Sequence, residues 1–430
     1  MQEIPTPRGM RDLMPNEAFF MNKIIKKIES VYSKFGFQTI DTPLIESLQI
    51  MNAKNAIGED TKLIFELKQE GFALRFDQTI SLARYLAMYK ELPMPFKRYV
   101  IGKSWRRDEP QKLRYREFIQ ADVDIAGSTS LAADAEVIAV QAKVIEELNL
   151  DYIVKINDRR FIYGFFSSIG INAEQSIHIM RAIDKLDKIG KDGVLKSIQK
   201  INGIDNEKLK IIDELISQDN TNEDVLAFIK AKESENKLIK VSGELIELLD
   251  MLKNYNLKGI VKLDLSLMRG IDYYNSTVVE YYVNNKNILS AIGGGGRYDN
   301  LVATISNKKS VPLVGTSLGI SRILDILNFS DSLKLNDAEI FVVNVKKNNY
   351  MYALQIANKL RSNGIAVDMN IIDRNISNQF SYANSLKYKY IVIVGDIEEK
   401  LNNLKVRNLI DGTEETITLN EAIEMFLGHK

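Results

Sequence analysis

Arg269-Gly-Ile-Asp-Tyr-Tyr-Asn275 gathers a cation, a carboxylate, two phenols and an amide into seven consecutive residues. Polar side chains taken out of water cost free energy unless something pairs with them, so this set suits a small polar ligand that carries charge. The flanks predict a strand across it: Ile260–Leu267 alternates apolar and polar residues, and Ser276–Glu280 is rich in β-branched ones. On such a strand Arg269, Ile271 and Tyr273 share one face, and Gly270, Asp272 and Tyr274 share the other.

Other segments carry chemistry more weakly. Residues 97–116 hold eight basic residues against two acidic ones, and include the only tryptophan, Trp105, beside Arg106. A solvated basic hairpin and an anion site built on bidentate guanidinium groups both fit that composition. The run Gly293-Gly-Gly-Gly-Arg-Tyr-Asp299 is either a flexible turn or a place where a ligand approaches the backbone closely; it matches no phosphate-loop or dinucleotide fingerprint. Arg322 falls in the first turn of a helix, where a surface position and a role beside a bound phosphate are both open. Asp77 lies in an apolar stretch, and Phe118, Gln120, Asp122 and Asp124 share one strand face, which reads as solvent-facing more readily than catalytic.

Several chemistries are excluded. With no cysteine there is no disulfide, thiolate or cysteine zinc site, and the two histidines, His178 and His429, lack neighbours that would make a metal pair or a nucleophile–base couple. No protein metal site is expected, and catalysis must draw on carboxylates, Arg, Lys, Tyr or a metal carried by a ligand. Basic and acidic residues balance at 57 each, which argues against whole-surface binding of nucleic acid but not against a local patch. No apolar run reaches the ~18–20 residues of a membrane span, and no charged-then-apolar leader opens the chain, so no membrane association and a cytoplasmic location are expected.

The elements that position these residues follow from periodicity. Residues 17–35 have helical apolar spacing, closed by Gly36, and Phe37–Leu44 reads as a strand with a proline near its end. Lys97–Ser104 and Arg116–Ile125 form two strands around a long charged loop; residues 131–148 are an Ala-rich helix, and Asp151–Asn157 is a strand. From Phe161 to Tyr255 the pattern is helical, an insertion into one β-rich domain that resumes over 260–327 and ends in the helix Ile320–Leu327. After a linker at Asn328–Asn336, alternating strands and helices predict a small α/β domain. The expected class is α+β: a catalytic domain of residues 1–160 and 256–328, a helical insertion of 161–255, and a third domain of 329–430.

Taken in order, these segments resemble class II aminoacyl-tRNA synthetases, and among them the histidyl-tRNA synthetase family. Residues 17–46, 98–124 and 313–327 are similar to the three class motifs, and Pro7-Arg-Gly-Met-Arg-Asp-Leu-Met-Pro15 to the family's N-terminal signature. Arg269–Asn275 and Gly294–Asp299 are similar to the two motifs that separate the histidyl enzymes from their class. The resemblance covers essentially the whole chain. It implies an antiparallel-sheet catalytic domain, a C-terminal α/β anticodon-binding domain, a homodimer, and ligation of histidine to tRNA(His) with ATP and Mg²⁺. A non-catalytic paralogue that senses histidine or uncharged tRNA is the alternative; it would be expected to lose Arg269, Arg322 or the C-terminal domain, and all are present.

Residue by residue, the resemblance implies that Arg106 holds the ATP α-phosphate, Arg322 the γ-phosphate, and Asp108 lies near the adenine amino group. Arg114, among the ATP-binding residues, and Tyr115 line the side of the site formed by the loop of the second class motif, while Arg269 stabilises the α-phosphate during attack. Asp77, Thr79 and Gln120 take the α-ammonium of histidine, and Asp124, Tyr273 and Tyr274 belong to the histidine pocket. Departures from the family pattern are Asp77 and Asp124 in place of glutamates, Trp-Arg-Arg-Asp-Glu-Pro over 105–110, and Ser321 before Arg322. Arg269 and Tyr274 fall on opposite faces of a regular strand, so a bulge or strong twist near Gly270 is expected.

Overall fold

The computed structural model describes residues 4–52, 58–68, 71–218, 221–236, 240–268, 273–284, 290–306, 309–327 and 337–428. Contacts divide the chain into two units, residues 1–12 with 23–328 and residues 13–22 with 329–430.

The first unit contains eleven strands among its described residues: β1 (Gln38–Thr39), β2 (Ile45–Ser47), β3 (Phe65–Glu66), β4 (Phe72–Leu74), β5 (Phe96–Trp105), β6 (Glu117–Ala126), β7 (Tyr152–Asp158), β8 (Ile260–Leu263), β9 (Thr277–Val283), β10 (Gly293–Arg297) and β11 (Leu313–Gly319). Eight of them form one sheet in the order β1-β5-β6-β11-β10-β9-β7-β8, and β2-β4-β3 form a small second sheet. Inner pairings of the large sheet are antiparallel, and only its ends, β1 with β5 and β7 with β8, are parallel.

Helix α1 (Pro15–Lys34) buries Ile24, Ile28 and Val31, as its spacing predicts. Helix α2 is Thr79–Met88. Helix α3 (Leu131–Glu147) starts at Ser130, whose side chain accepts from the Ala132 amide and so satisfies one of the free donors of the first turn. It lies against the sheet on small buried residues, Ala133, Ala135, Ala139 and Ala142, and Gln141 Nε2 donates to the Ala121 and Thr316 carbonyls at 3.0 and 3.1 Å. This packing covers the face of β6 that carries Ala121, Val123 and Ile125, and leaves the face of Gln120 and Asp122 to another use.

Six helices follow: α4 (Arg159–Ser168), α5 (Ala173–Ile183), α6 (Leu186–Gln199, interrupted at Gly190), α7 (Asn206–Ile216), α8 (Asn222–Asn236) and α9 (Ser242–Asn254). They fall within the first unit, and α9 packs on α3. Two short helices, α10 (Leu301–Ser306) and α11 (Ile320–Leu327), follow, and short helical turns also occur at Leu48–Met51 and Gly58–Leu63.

Two expectations about strands are corrected, and one open reading is narrowed. The run starting at Ile260 ends as a strand at Leu263, because Asp264 accepts from the Ser266 amide and hydroxyl and pairs with Lys155 at 2.8 Å, a local turn that competes with the ladder. Tyr273 and Tyr274 accordingly sit outside any strand; Arg269, Gly270, Ile271 and Asp272, and with them the expected bulge, lie outside the described residues. The predicted strand Phe37–Leu44 pairs with β5 only at Gln38 and Thr39. Of the two readings of the glycine run, the turn is excluded: Gly293–Arg297 is strand β10, held between β9 and β11. A Cβ at Gly295 would run into the Gly315 carbonyl, and one at Gly296 into the Thr277 carbonyl, so close strand approach selects glycine here.

In the second unit, β12 (Ile340–Asn344), β13 (Val367–Met369), β14 (Tyr390–Val394), β15 (Asn403–Asn408) and β16 (Glu414–Thr418) form a sheet in the order β13-β12-β14-β15-β16, parallel over its first three strands. Helix α12 (Tyr350–Ser362) buries Ala353, Ile356, Ala357 and Leu360 against Val342 and Val392, and α13 (Ile376–Ser385), α14 (Asp396–Leu401) and α15 (Leu419–Gly428) complete the α/β unit.

Candidate active site

A cavity of about 280 Å³ opens on the uncovered face of the large sheet. Strands β6, β10 and β11 supply Gln120, Asp122, Gly293, Gly294 and Ser317 to it. The β5–β6 loop supplies Arg106, Asp108, Arg114 and Tyr115; the start of α2 supplies Thr79 with Asp77 before it; and the start of α11 supplies Ser321 and Arg322.

One end is rich in acceptors. Asp77 is 4% exposed; its Oδ1 accepts from the Ile80 amide at 3.1 Å, while its Oδ2 has no partner within the protein. Burial pushes its carboxyl up to about 6, a rise moderated by the Ile80 amide and by Arg106. Asp122 Oδ1 and Gln120 Oε1 are likewise buried without partners, although Gln120 Nε2 donates to Ser317 Oγ at 2.9 Å. Burial raises the Asp122 carboxyl too, against the attraction of Arg98. Unpaired buried oxygens of this kind are expensive, and their convergence suits a ligand that brings N–H donors.

Asp124 belongs to the layer beneath. It lies directly opposite Arg98 in the β5–β6 register, the pair is 2.7 Å apart, and Tyr298 Oη donates to its Oδ1. Its Oδ2 meets Arg98 as a close charge contact rather than as an aligned hydrogen bond. Burial holds the Asp124 carboxyl at about 6 despite that partner. Tyr273, Tyr274 and Tyr298 form an aromatic cluster over this end, with ring centroids 4.7 to 6.1 Å apart.

The other end is cationic. Arg322 donates to the Leu113 carbonyl at 3.1 Å and to the Ala291 carbonyl. Its guanidinium is held below its ordinary range by burial and then by Arg114 and Arg106. Arg106 donates to the Phe76 carbonyl at 3.0 Å and lies over the Phe118 ring. Arg114 grips Asp108 through two hydrogen bonds of 2.9 and 3.1 Å. Three arginines that repel one another around a cavity give an end whose charge suits a polyanion.

The N-terminal segment braces this end. Gly9, with φ +81°, fits where a side chain would strike Arg116 and Pro110, and its carbonyl accepts from the Arg116 amide at 2.7 Å. Arg11 pairs with Asp325 at 2.8 Å and covers the Tyr115 ring, whose hydroxyl donates to the same Asp325 at 2.7 Å.

Of the residues singled out in the sequence, Arg106, Asp108, Arg114, Arg322, Asp77, Thr79, Gln120, Tyr273 and Tyr274 line this one cavity. Asp124 lies behind the lining, and Arg269 lies outside the described residues. The solvent-facing reading of the 118–124 face is overturned: Asp122 and Asp124 are 4% and 3% exposed, because the cavity and its floor occupy that face. Trp105, beside Arg106 in the sequence, does not line the cavity; it is 7% exposed and donates from Nε1 to Glu117. Sequence reasoning missed Ser317 and Glu280 and gave Asp122 no role; its alternation with Gln120 and Asp124 was the available signal.

The family model described as histidyl-tRNA synthetase matches residues 9–323, and one described as anticodon binding domain matches residues 339–429. The chain is 36% identical over 431 residues to a histidine–tRNA ligase of Clostridium tetani, covering 97% of this chain and 96% of that one. It is 36% identical over 438 residues to a histidine–tRNA ligase of Korarchaeum cryptofilum, covering 97% and 100%. Its fold is similar to the crystal structure of a histidyl-tRNA synthetase from Nostoc, with TM-score 0.86, 28% identity and full coverage of both chains.

Proposed function

The chain belongs to the histidyl-tRNA synthetase family, whose chemistry is the ATP-dependent charging of tRNA with histidine, and we propose that this reaction runs in the cavity of the first unit. Histidine is activated to histidyl-adenylate, and the histidyl group then passes to the 3′ end of tRNA(His). The observation that carries the reading is the polarity of the cavity: unpaired acceptors at one end and arginines at the other. An amino acid presents an ammonium on one side and a carboxylate on the other, and the carboxylate must meet a triphosphate.

Asp77, Thr79 and Gln120 take the three N–H donors of the α-ammonium. Tyr273 and Tyr274 wall the imidazole, with Asp124 acting from behind the lining through Tyr298. Arg106 and Arg269 stabilise the α-phosphate, Arg322 takes the γ-phosphate, and Asp108 with Arg114 borders the adenine side. The substrate carboxylate is itself the nucleophile, so the protein needs no Ser, Cys or His for the attack. Its contribution is orientation and stabilisation of developing charge.

A Mg²⁺ carried by the nucleotide would supply further positive charge to the phosphates. No cluster of three ligating side chains occurs among the described residues, and Glu280 and Asp108 are cavity carboxylates near Arg322 that could hold it. Phosphate oxygens of the nucleotide would supply further ligands to such an ion. The C-terminal unit reads the anticodon, and the protein works in the cytoplasm as a homodimer. Residues 17–46, similar to the dimer-forming class motif, support the dimer, and no described helix is long and apolar enough to cross a membrane.

The test is ATP–pyrophosphate exchange with each amino acid in turn. Histidine is expected to drive exchange; glycine or proline doing so in its place would sink the assignment.

A further inference from the structure

Gln120 presents its amide oxygen to the cavity only while its amide nitrogen is engaged elsewhere. A side-chain amide can turn end for end at little cost, exchanging an acceptor for a donor. Facing an ammonium, the flipped amide would put N–H against N–H. Something must therefore fix the orientation.

Ser317 and Asp122 are directly opposed across the β6–β11 pair, with Gln120 on the same face of β6. Gln120 Nε2 donates to Ser317 Oγ at 2.9 Å, and the Ser317 hydroxyl, set opposite Asp122, favours the ionised form of that carboxylate. An ionised carboxylate only accepts, so a bond between the two uses the single proton of Ser317. Its lone pairs can then only accept, which requires the N–H end of Gln120. The oxygen left over, Gln120 Oε1, is buried without a partner in the residue that lines the cavity. Burial opposes ionisation of Asp122, and Arg98, Arg75 and Arg106 favour it.

We propose that Asp122 and Ser317 are positioning residues: a carboxylate–hydroxyl–amide relay that locks the Gln120 carbonyl oxygen toward the α-ammonium of the amino-acid substrate. The inference rests on the histidine-binding reading of this cavity and adds the device that sets its polarity. Its consequence is specific. Asp122→Asn, nearly isosteric, can donate to Ser317, which releases the hydroxyl proton to Gln120 Oε1 and turns the N–H end toward the substrate. Reversal of polarity is then worse than loss of the relay.

The experiment compares binding of histidine with binding of imidazolepropionate, which lacks the ammonium, by titration calorimetry on the full-length protein. The wild type is expected to prefer histidine. D122N is expected to weaken histidine about 10- to 100-fold, the range of a hydrogen bond to a charged group, and to leave imidazolepropionate within about threefold. Ser317→Ala should weaken histidine by less than D122N does, and Ser317→Thr, which keeps the hydroxyl, should retain the preference. D122N combined with Gln120→Glu should regain it, because a carboxylate accepts in either orientation. Equal weakening of both ligands by D122N, or a histidine preference untouched in S317A, overturns the relay. If thermal melts show that D122N does not fold, the S317A and S317T pair decides in the same way. A wild type that binds neither ligand overturns the underlying reading of the cavity instead.

Discussion

Arg98 and Asp124 face each other across strands β5 and β6 at 2.7 Å, with side chains 1% and 4% exposed, directly behind the lining of the cavity. A buried pair of this kind contributes little net stability compared with apolar residues, but breaking it strands a charge. Arg98→Met is therefore expected to destabilise the protein by about 3–5 kcal/mol. Arg98→Met with Asp124→Leu should recover most of that loss while weakening histidine binding. Urea unfolding of the two variants checks the first claim, and a double variant no more stable than R98M would refute it.

Asp77 ties stability to pH in a direction set by its burial. Its carboxyl titrates at about 6 in the folded protein, against an ordinary value of 3.8. The folded state keeps the proton where the unfolded chain has released it, so this contribution is complete below the ordinary value and is lost as pH rises through about 6. Between pH 5 and pH 7 the ligand-free wild type should lose roughly 1 kcal/mol more stability than Asp77→Asn, which has nothing to titrate there. Denaturant unfolding at the two pH values measures this; an equal change in both proteins would rule it out.

How much of this site could be read in the sequence depends on whether a feature is local. Arg106, Arg114 and Arg322 stand out because charge density and motif order are one-dimensional properties, and all three line the cavity. The burial of Asp122 and Asp124 was not legible, since alternation says that residues share a face but not what covers it. Their counter-charge, Arg98, comes from a neighbouring strand 26 positions earlier (124 − 98), a pairing fixed only by sheet register. Strand β10 was hidden for a related reason: glycine has poor intrinsic strand preference, and only the close approach of β9 and β11 selects it. The break after Leu263 was visible in principle as Asp264-Leu-Ser266, a turn-forming spacing that the alternating pattern overrode.

Arg269 carries the transition-state part of the proposed function. Replacing it with alanine should slow adenylate formation by a factor on the order of 10²–10³, the usual effect of removing one preorganised charge-stabilising donor. Histidine and ATP should still bind, because Asp77, Gln120 and Arg322 are intact. Single-turnover adenylation measured by rapid quench reads the step directly. An unchanged rate would remove Arg269 from the chemistry and leave Arg106 as its principal cation.

Gly315 tests whether the floor of the cavity is as tightly specified as its packing implies. A Cβ at this position would overlap Asp124 Oδ1 and come within 2.9 Å of Tyr298 Oη. Neither side chain can retreat, since Tyr298 is 1% exposed and Asp124 is held by Arg98. Gly315→Ala should thus cost about 1–3 kcal/mol of stability, the range for an added methyl in a packed interior, and should raise the KM for histidine more than that for ATP. In an Asp124→Ala background the obstructing carboxylate is gone, and the same substitution should cost less than about 1 kcal/mol. That difference is the coupling between two positions sharing one contact, and a double-mutant cycle in urea isolates it. Additive costs would mean that the floor yields elsewhere, and that Gly315 is glycine for the ladder alone.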